Sequence, residues 1–217
     1  MDIEQARFNM VEQQIRPWDV LDGSVLALLS AVRREDFVPS AYRTMAFVDT
    51  EIPLPEGQCM LAPKVEARLL QEAQVHRHER VLEVGAGSGY MAALLSHRAL
   101  SVVSFEIRPG LAAMARANLQ RAGCANVMVR EGDGSRGLPD EAALEVIMLS
   151  GSVAVVPQNL LAQLKVGGRL IGVVGEQPVM RAVRVTRTGE SSFSTVELFD
   201  TVAPRLERFD EPSRFRF

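Results

Sequence analysis

One stretch restricts the possible folds more than any other. Arg80-Val81-Leu82-Glu83-Val84 runs straight into Gly85-Ala86-Gly87-Ser88-Gly89-Tyr90, and an apolar stretch follows. A short apolar run ended by glycines reads as a strand, and residues 88–98 read as a helix. The glycines let the backbone come close to a ligand, and the helix start offers free N–H groups. In an α/β sheet this unit places a nucleotide-like ligand at the carboxyl end of its strand. The competing reading is a turn whose glycines serve only chain packing.

The alternation continues downstream. Ser101 to Glu106 reads as the next strand. Pro109 opens a helix that Gly123 closes. Val127-Met128-Val129 and Val146-Ile147-Met148-Leu149 read as two further strands. Pro157 opens a helix carrying Leu160, Leu161 and Leu164, which Gly167-Gly168 ends. Leu170 to Val174 follows as a strand. Arg181 to Arg187 and Phe193 to Phe199 flank a turn at Thr188-Gly189-Glu190, which makes an antiparallel hairpin. Strands alternating with helices imply a mostly parallel sheet covered on both faces. The expected fold is α/β, a Rossmann-like seven-stranded sheet of the kind methyltransferases use, with a C-terminal antiparallel hairpin.

Residues 1–75 have another character. Ile3, Ala6, Met10, Val11 and Ile15 recur at helical spacing behind a cap at Asp2, and Pro17 closes that helix. Ser24 caps a second, with Val25, Leu28, Leu29 and Val32 inward. Pro53, Pro55 and Gly57 force a loop. Pro63 opens a third helix burying Val65, Leu69, Leu70 and Ala73. The expected division is an N-terminal helical segment, 1–75, over the cofactor cleft of a ligand-binding domain, 76–217.

Composition narrows the partners. The chain has 217 residues, 47% hydrophobic and 24% charged, with net charge −3, and a pI near 5.7. There is no basic excess to hold nucleic acid. No apolar run reaches the roughly 20 residues that span a bilayer. Met1-Asp2-Ile3-Glu4-Gln5 lacks the basic start and apolar run of a secretory signal. Cys59 and Cys124 are too few for a disulfide framework, and Cys plus His too sparse for a zinc site. The expectation is a cytoplasmic monomer or homodimer without a metal.

Spacing selects the ligand. A dinucleotide fingerprint places glycines first, third and sixth; here the fifth is Gly89 and the sixth is Tyr90. Glu83, within the strand, would repel a pyrophosphate but suits a cation. S-adenosylmethionine has a sulfonium, an amino group and no phosphate. Otherwise Glu83 binds loop N–H groups. Glu106 ends the second strand, 19 residues after Gly87, where a carboxylate accepts from ribose hydroxyls; beside it stands Ile107. Asp133, in Glu131-Gly132-Asp133-Gly134, would accept from the adenine amino group, with Gly134 against the ring, or simply make a turn.

These residues together resemble the protein-L-isoaspartate O-methyltransferase family over nearly the whole chain. Met10-Val11-Glu12-Gln13-Gln14-Ile15 is similar to its opening helix, and Arg34-Glu35-Asp36-Phe37-Val38-Pro39 and Gly57-Gln58 to its next segments. Val81 through Tyr90 is similar to its cofactor loop, Gly132-Asp133-Gly134 to its adenine-side loop, and Arg184-Val185-Thr186-Arg187 to its late strand. The resemblance implies methyl transfer from S-adenosylmethionine to the α-carboxyl of an isoaspartyl residue in a damaged protein, leaving S-adenosylhomocysteine. The ester then collapses to a succinimide, which begins repair. A carboxylate is already nucleophilic, so alignment and exclusion of water matter more than a base. It implies cofactor contacts at Glu83, Gly85, Ala86, Gly87, Ser88, Gly89, Glu106, Ile107, Asp133 and Gly134.

The acceptor side departs from the family. After Gly57-Gln58 the family has Thr-Ile-Ser-Gln-Pro, whereas this chain has Cys59-Met60-Leu61-Ala62-Pro63. Leu61 cannot hydrogen-bond a carboxylate. Ser150 or Ser152 would supply the missing hydroxyl, or both belong to a polar loop. The acceptor-side candidates are therefore Gln58, Cys59, Leu61 and Ser150. A changed acceptor and a non-catalytic S-adenosylmethionine-binding module are the alternatives. Cys59 otherwise reads as a packed thiol, and His76, His78 and His97 as surface residues. Trp18 packs between segments or lines the acceptor entrance. Arg205 to Phe217, with Phe209, Phe215 and Phe217, docks on the sheet or a partner, or frays.

Overall fold

The sheet is built outward from its most apolar strand. The computed structural model describes residues 2–141 and 143–211. Apart from a short antiparallel ribbon of Ile52–Pro53 and Cys59–Met60, the strands form one sheet: β1 (Arg80–Val84), β2 (Ser101–Glu106), β3 (Val127–Glu131), β4 (Leu144–Val153), β5 (Leu164–Glu176), β6 (Val179–Arg187) and β7 (Phe193–Thr201). Their order is β3-β2-β1-β4-β5-β6-β7. The first five run parallel, and β6 lies antiparallel to both β5 and β7. The seven-stranded expectation with a terminal hairpin holds. Chain order reverses between β1 and β4, so a crevice opens there at the strands' carboxyl ends.

Alternation assigns the two faces. Val81, Val146, Met148, Ile171 and Val173 face one apolar cluster; Leu82, Val84, Ile147, Leu149 and Leu170 face the other. The first cluster also contains Met10, Ile15, Val25, Leu29, Phe37, Ile52 and Leu61. The N-terminal residues thus share a core with one sheet face. Trp18 meets Phe199 of β7 edge-on, with centroids 5.8 Å apart, and Lys64 Nζ lies 4.3 Å above its ring. It packs segment against sheet.

Helix ends differ from the sequence expectation for local reasons. Helix α1 (Ile3–Asn9) starts at Asp2, whose carboxylate accepts from the Glu4 and Gln5 N–H groups. It continues as a π-helical turn over Met10–Ile15 and a 3-10 turn over Arg16–Trp18 that contains Pro17. Asp22, not Ser24, caps α2 (Gly23–Ala31); it accepts from the Ser24 N–H at 2.8 Å and from the Ser24 hydroxyl. Helix α3 spans Pro63–Ala73 as expected. Helix α4 is only Tyr90–Ser96, because Gly87 and Gly89 have φ of +52° and +86° and cannot start it earlier. Helix α5 is Pro109–Arg121. Helix α6 is a single turn, Gln158–Leu161. Leu164 already pairs with Leu144, so Gly167-Gly168 lies inside an irregular stretch of β5 and not at a helix end. A side chain at Gly168 would meet three carbonyl oxygens at 2.9–3.1 Å.

Candidate functional site

The crevice holds a cleft that is partly open to solvent. Gly85, Gly87, Glu106, Ile107, Asp133 and Gly134 all line it. The Gly85 and Ala86 N–H groups donate to the Phe105 carbonyl at 2.9 and 3.0 Å, and the Gly89 N–H to Ala86 at 2.7 Å. Glu106 accepts from the Gly87 N–H at 2.8 Å and from the Arg108 N–H at 3.0 Å. The turn's N–H groups at 85, 86, 87 and 89 are therefore spent within the protein. A phosphate would need them free. The cleft's cation Arg108 is already matched by Glu207, and Arg205 by Glu211. This donor set suits a ribosyl ligand with a positive group and no phosphate.

Two of the glycines also serve packing. Gly89 does not line the cleft. A side chain there would meet the Ala115 backbone at 3.2 Å and Leu119 at 3.3 Å, so this glycine lets α4 approach α5. Helix packing, assigned to the sixth position of a dinucleotide turn, is served here by the fifth. Gly134 both lines the cleft and packs, since a side chain would lie 2.7 Å from Phe105 and 2.8 Å from Val84. Asp133 is exposed at the rim, where it accepts from the Ser135 N–H at 2.8 Å.

A smaller cavity lies deeper, with about 30 Å³ of space for water, room for roughly one molecule. Ala86, Ser88, Tyr90, Met91, Leu54, Leu61, Glu66 and Glu83 wall it. The Ser88 carbonyl accepts from Asn118 at 2.8 Å. Cys59, Gly85, Gly87 and Ser150 line both cavities and form the junction between them.

Glu83 lies beneath that junction and not in the outer cleft. It is fully buried, and its two oxygens accept from the Ser104 and Ser150 hydroxyls, the latter at 2.7 Å. Burial pushes its carboxyl up to about 7, against the pull of the two hydroxyls and with the help of the nearby Glu106 and Glu66 charges. Burial and the Glu51 carboxylate push the Cys59 thiol up to about 12, so it stays protonated and unreactive. Ser152 is structural: its hydroxyl donates to the Ala203 carbonyl at 2.8 Å. His76, His78 and His97 are exposed. Among the described residues no group of three His, Cys, Asp or Glu could hold a metal ion. No helix there is long and apolar enough to cross a membrane.

Sequence reasoning missed two parts of this site. The first is Arg34, fully buried, which pairs with Glu66, donates to the Leu61 carbonyl at 2.8 Å and to Ala46 at 3.1 Å, and lies 5.0 Å from the Tyr90 ring centroid. It ties the Leu61 loop to helix α3. A signal existed, because Glu66 has the helical phase of Leu69, Leu70 and Ala73, an inward one for an acid. The second is the segment after β7. The Ser152 N–H donates to Pro204 at 2.7 Å and the Leu206 N–H to Ser152 at 2.8 Å, which lays the segment along β4. Pro204 to Glu207 then line the cleft, and Leu206 fills the space over Gly85 and Gly151. Glu207 pairs with Arg108, and with the Gln58 amide turned so that its oxygen faces the guanidinium, Arg108 also donates to that oxygen at 2.9 Å. The chain's end therefore docks on the sheet through Phe209 at least; Phe215 and Phe217 lie outside the described residues.

A sequence profile described as Protein-L-isoaspartate(D-aspartate) O-methyltransferase (PCMT) matches residues 5–202. The chain is 42% identical over 195 residues to protein-L-isoaspartate O-methyltransferase 1 of Rhodopseudomonas palustris (strain HaA2), covering 89% of this chain and 80% of that one. It is 39% identical over 194 residues to the enzyme so named from Methanoculleus marisnigri, covering 89% and 88%. Among solved structures it resembles a Plasmodium falciparum protein assigned to the same activity and held in complex with S-adenosyl-L-homocysteine. That match has a TM-score of 0.78 at 19% identity, over 93% of this chain and 98% of that one. At that identity the likeness speaks for the fold.

Proposed function

The chain belongs to the protein-L-isoaspartate(D-aspartate) O-methyltransferase family, and from that premise we propose how its residues divide the work. The enzyme uses S-adenosylmethionine to methylate the α-carboxyl of isoaspartyl residues in damaged proteins, which begins their repair. The cofactor supplies a methyl group on a sulfonium, electrophilic enough for a carboxylate to take without a base.

The residues of the outer cleft hold that cofactor. Glu106 accepts from the Gly87 and Arg108 N–H groups and offers its remaining lone pairs to the ribose hydroxyls. Asp133 faces the adenine amino group, with Gly134 and Ile107 along the ring. Gly85 and Gly87 admit the methionine portion, with the buried Glu83 carboxyl beneath them. Gln58, Cys59 and Leu61 shape the acceptor side, where Leu54, Met60 and Met91 exclude water. The observation that carries this division is the spent backbone of the glycine turn beside the Glu106 carboxylate. Two free cysteines suit a cytoplasmic setting, and a pI near 5.7 leaves no basic excess for nucleic acid.

The test is methyl transfer from labelled S-adenosylmethionine to an isoaspartyl peptide, beside its normal aspartyl counterpart. Base-labile label on the isoaspartyl peptide alone is expected. Cofactor binding without that label would leave a changed acceptor, the reading that Leu61 and Cys59 would then favour, or a non-catalytic binding module.

A further inference from the structure

We infer that Ser150 is the hydroxyl that orients the acceptor carboxylate at the junction of the two cavities, and that Glu83 sets the direction in which this hydroxyl points. The inference rests on the carboxyl-methylation reading and assigns a residue within it. An in-line transfer brings the acceptor oxygen to within about 3–3.5 Å of the methyl carbon. That oxygen must lie where the outer and inner cavities meet. Cys59, Gly85, Gly87 and Ser150 line that place. A carboxylate only accepts hydrogen bonds, and it loses stability if left without a donor away from water. The glycines bring no side chain. The Cys59 thiol is a weak donor beside Glu51. Leu61, next along the loop, is buried and apolar. Ser150 is half-buried and is, among the described residues, the one hydroxyl-bearing side chain common to both cavities.

Glu83 gives that hydroxyl two states. When Glu83 is ionised, the Ser150 hydroxyl donates to it, and only oxygen lone pairs face the junction. Those repel a carboxylate. When Glu83 carries a proton, it donates to Ser150 Oγ, and the Ser150 hydrogen turns outward to the acceptor. Ser104 donates to the other Glu83 oxygen in both states. The chain then runs Ser104 to Glu83 to Ser150 to acceptor, each hydroxyl giving one hydrogen, and no proton is consumed. The charged groups facing Glu83 are Glu106 at the end of β2 and Glu66 on α3, the latter paired with Arg34. Both carboxylates favour the protonated form, and burial brings the exchange to about pH 7. Acceptor capture is therefore best below that pH and declines above it.

The experiment compares Ser150→Ala and Ser150→Thr with the parent chain. Readouts are the peptide KM and kcat at saturating cofactor from pH 5.5 to 8.5, and the Kd for S-adenosylhomocysteine. For Ser150→Ala we expect the peptide kcat/KM to fall about 10- to 100-fold, the loss of one hydrogen bond to a charged group, with cofactor affinity within about twofold. The decline of kcat/KM above pH 7 should vanish with it, and Ser150→Thr should restore both rate and pH profile. Unchanged peptide kinetics in Ser150→Ala, or an equal loss of cofactor affinity, would overturn this assignment while leaving the activity intact. Absence of isoaspartyl methylation by the parent chain would instead remove the underlying reading, and the assignment with it.

Discussion

The two sides of the cleft are constructed on different principles. The cofactor side is made of backbone at the ends of three adjacent parallel strands, β1, β2 and β3. Its glycine turn is closed by bonds to Phe105 and Glu106, a fixed number of residues along the same α/β unit. The acceptor side is made of side chains from distant stretches. Leu61 is anchored by Arg34, Ser150 by Glu83, and Gln58 by Arg108, which Glu207 holds from near the chain's end. The first construction is local and tolerates little variation. The second can change residue by residue, and here it carries Cys59 and Leu61 where hydroxyls would serve a carboxylate.

The contrast can be broken most severely at Arg34. Arg34→Ala leaves the Glu66 carboxylate buried without its cation and frees two buried carbonyls. Removing one partner of a buried pair costs about 3–5 kcal/mol, or roughly 10 °C of thermal midpoint for a chain of this size. Arg34→Met with Glu66→Leu should recover most of it, because no charge then stays buried. A midpoint loss below about 3 °C in the single variant would mean that water reaches the pair. The next effect belongs to the other side. Glu106→Ala takes the acceptor from the Gly87 and Arg108 N–H groups and, in the proposed division, from the ribose at once. We expect S-adenosylhomocysteine to bind about 30- to 100-fold more weakly by calorimetry, near 2–3 kcal/mol. The peptide KM at saturating cofactor should move by less than about threefold. A comparable rise in peptide KM would show that the two sides are one mechanical unit.

What the sequence disclosed follows the same division. Strand periodicity, the glycine turn and the spacing to Glu106 are short-range patterns, and the sheet places those residues on one cleft. That Gly89 lets α4 approach α5 was not legible, because a glycine that admits a ligand and one that admits a helix look alike in sequence; the Ala115 backbone beside it shows the packing. Ser24 lost its cap to Asp22 two residues earlier, a shift within the usual uncertainty of helix ends. The Gly167-Gly168 pair was read as a helix stop, yet pairing of Leu164 with Leu144 had already claimed that stretch for the sheet. The inward phase of Glu66 signals a buried acid, but which residues partner Arg34 and Arg108 was not legible. Arg34 and Glu66 are 32 residues apart, and Arg108 and Glu207 are 99. No local pattern encodes such pairings; the fold creates them.

The smallest effect is the one that tells whether the far end of the chain takes part in cofactor exchange. Pro204 to Glu207 pass over the glycine turn, and the Arg108–Glu207 pair fastens them to the start of α5. Glu207 is nearly half exposed, with a side-chain accessibility of 46%, so salt screens the pair and its contribution is about 0.2–1 kcal/mol. Glu207→Gln should accordingly speed dissociation of S-adenosylhomocysteine about two- to fivefold in stopped-flow measurements at low salt. Raising the salt to about 0.5 M should speed the parent chain toward the variant and leave the variant nearly unchanged. Leu206 provides the control, since its packing over Gly85 and Gly151 is apolar: Leu206→Ala should accelerate release equally at both salt concentrations. If neither substitution alters release, the segment merely lines the cleft, and the acceptor loop through Gln58 and Arg108 is what retains the ligand.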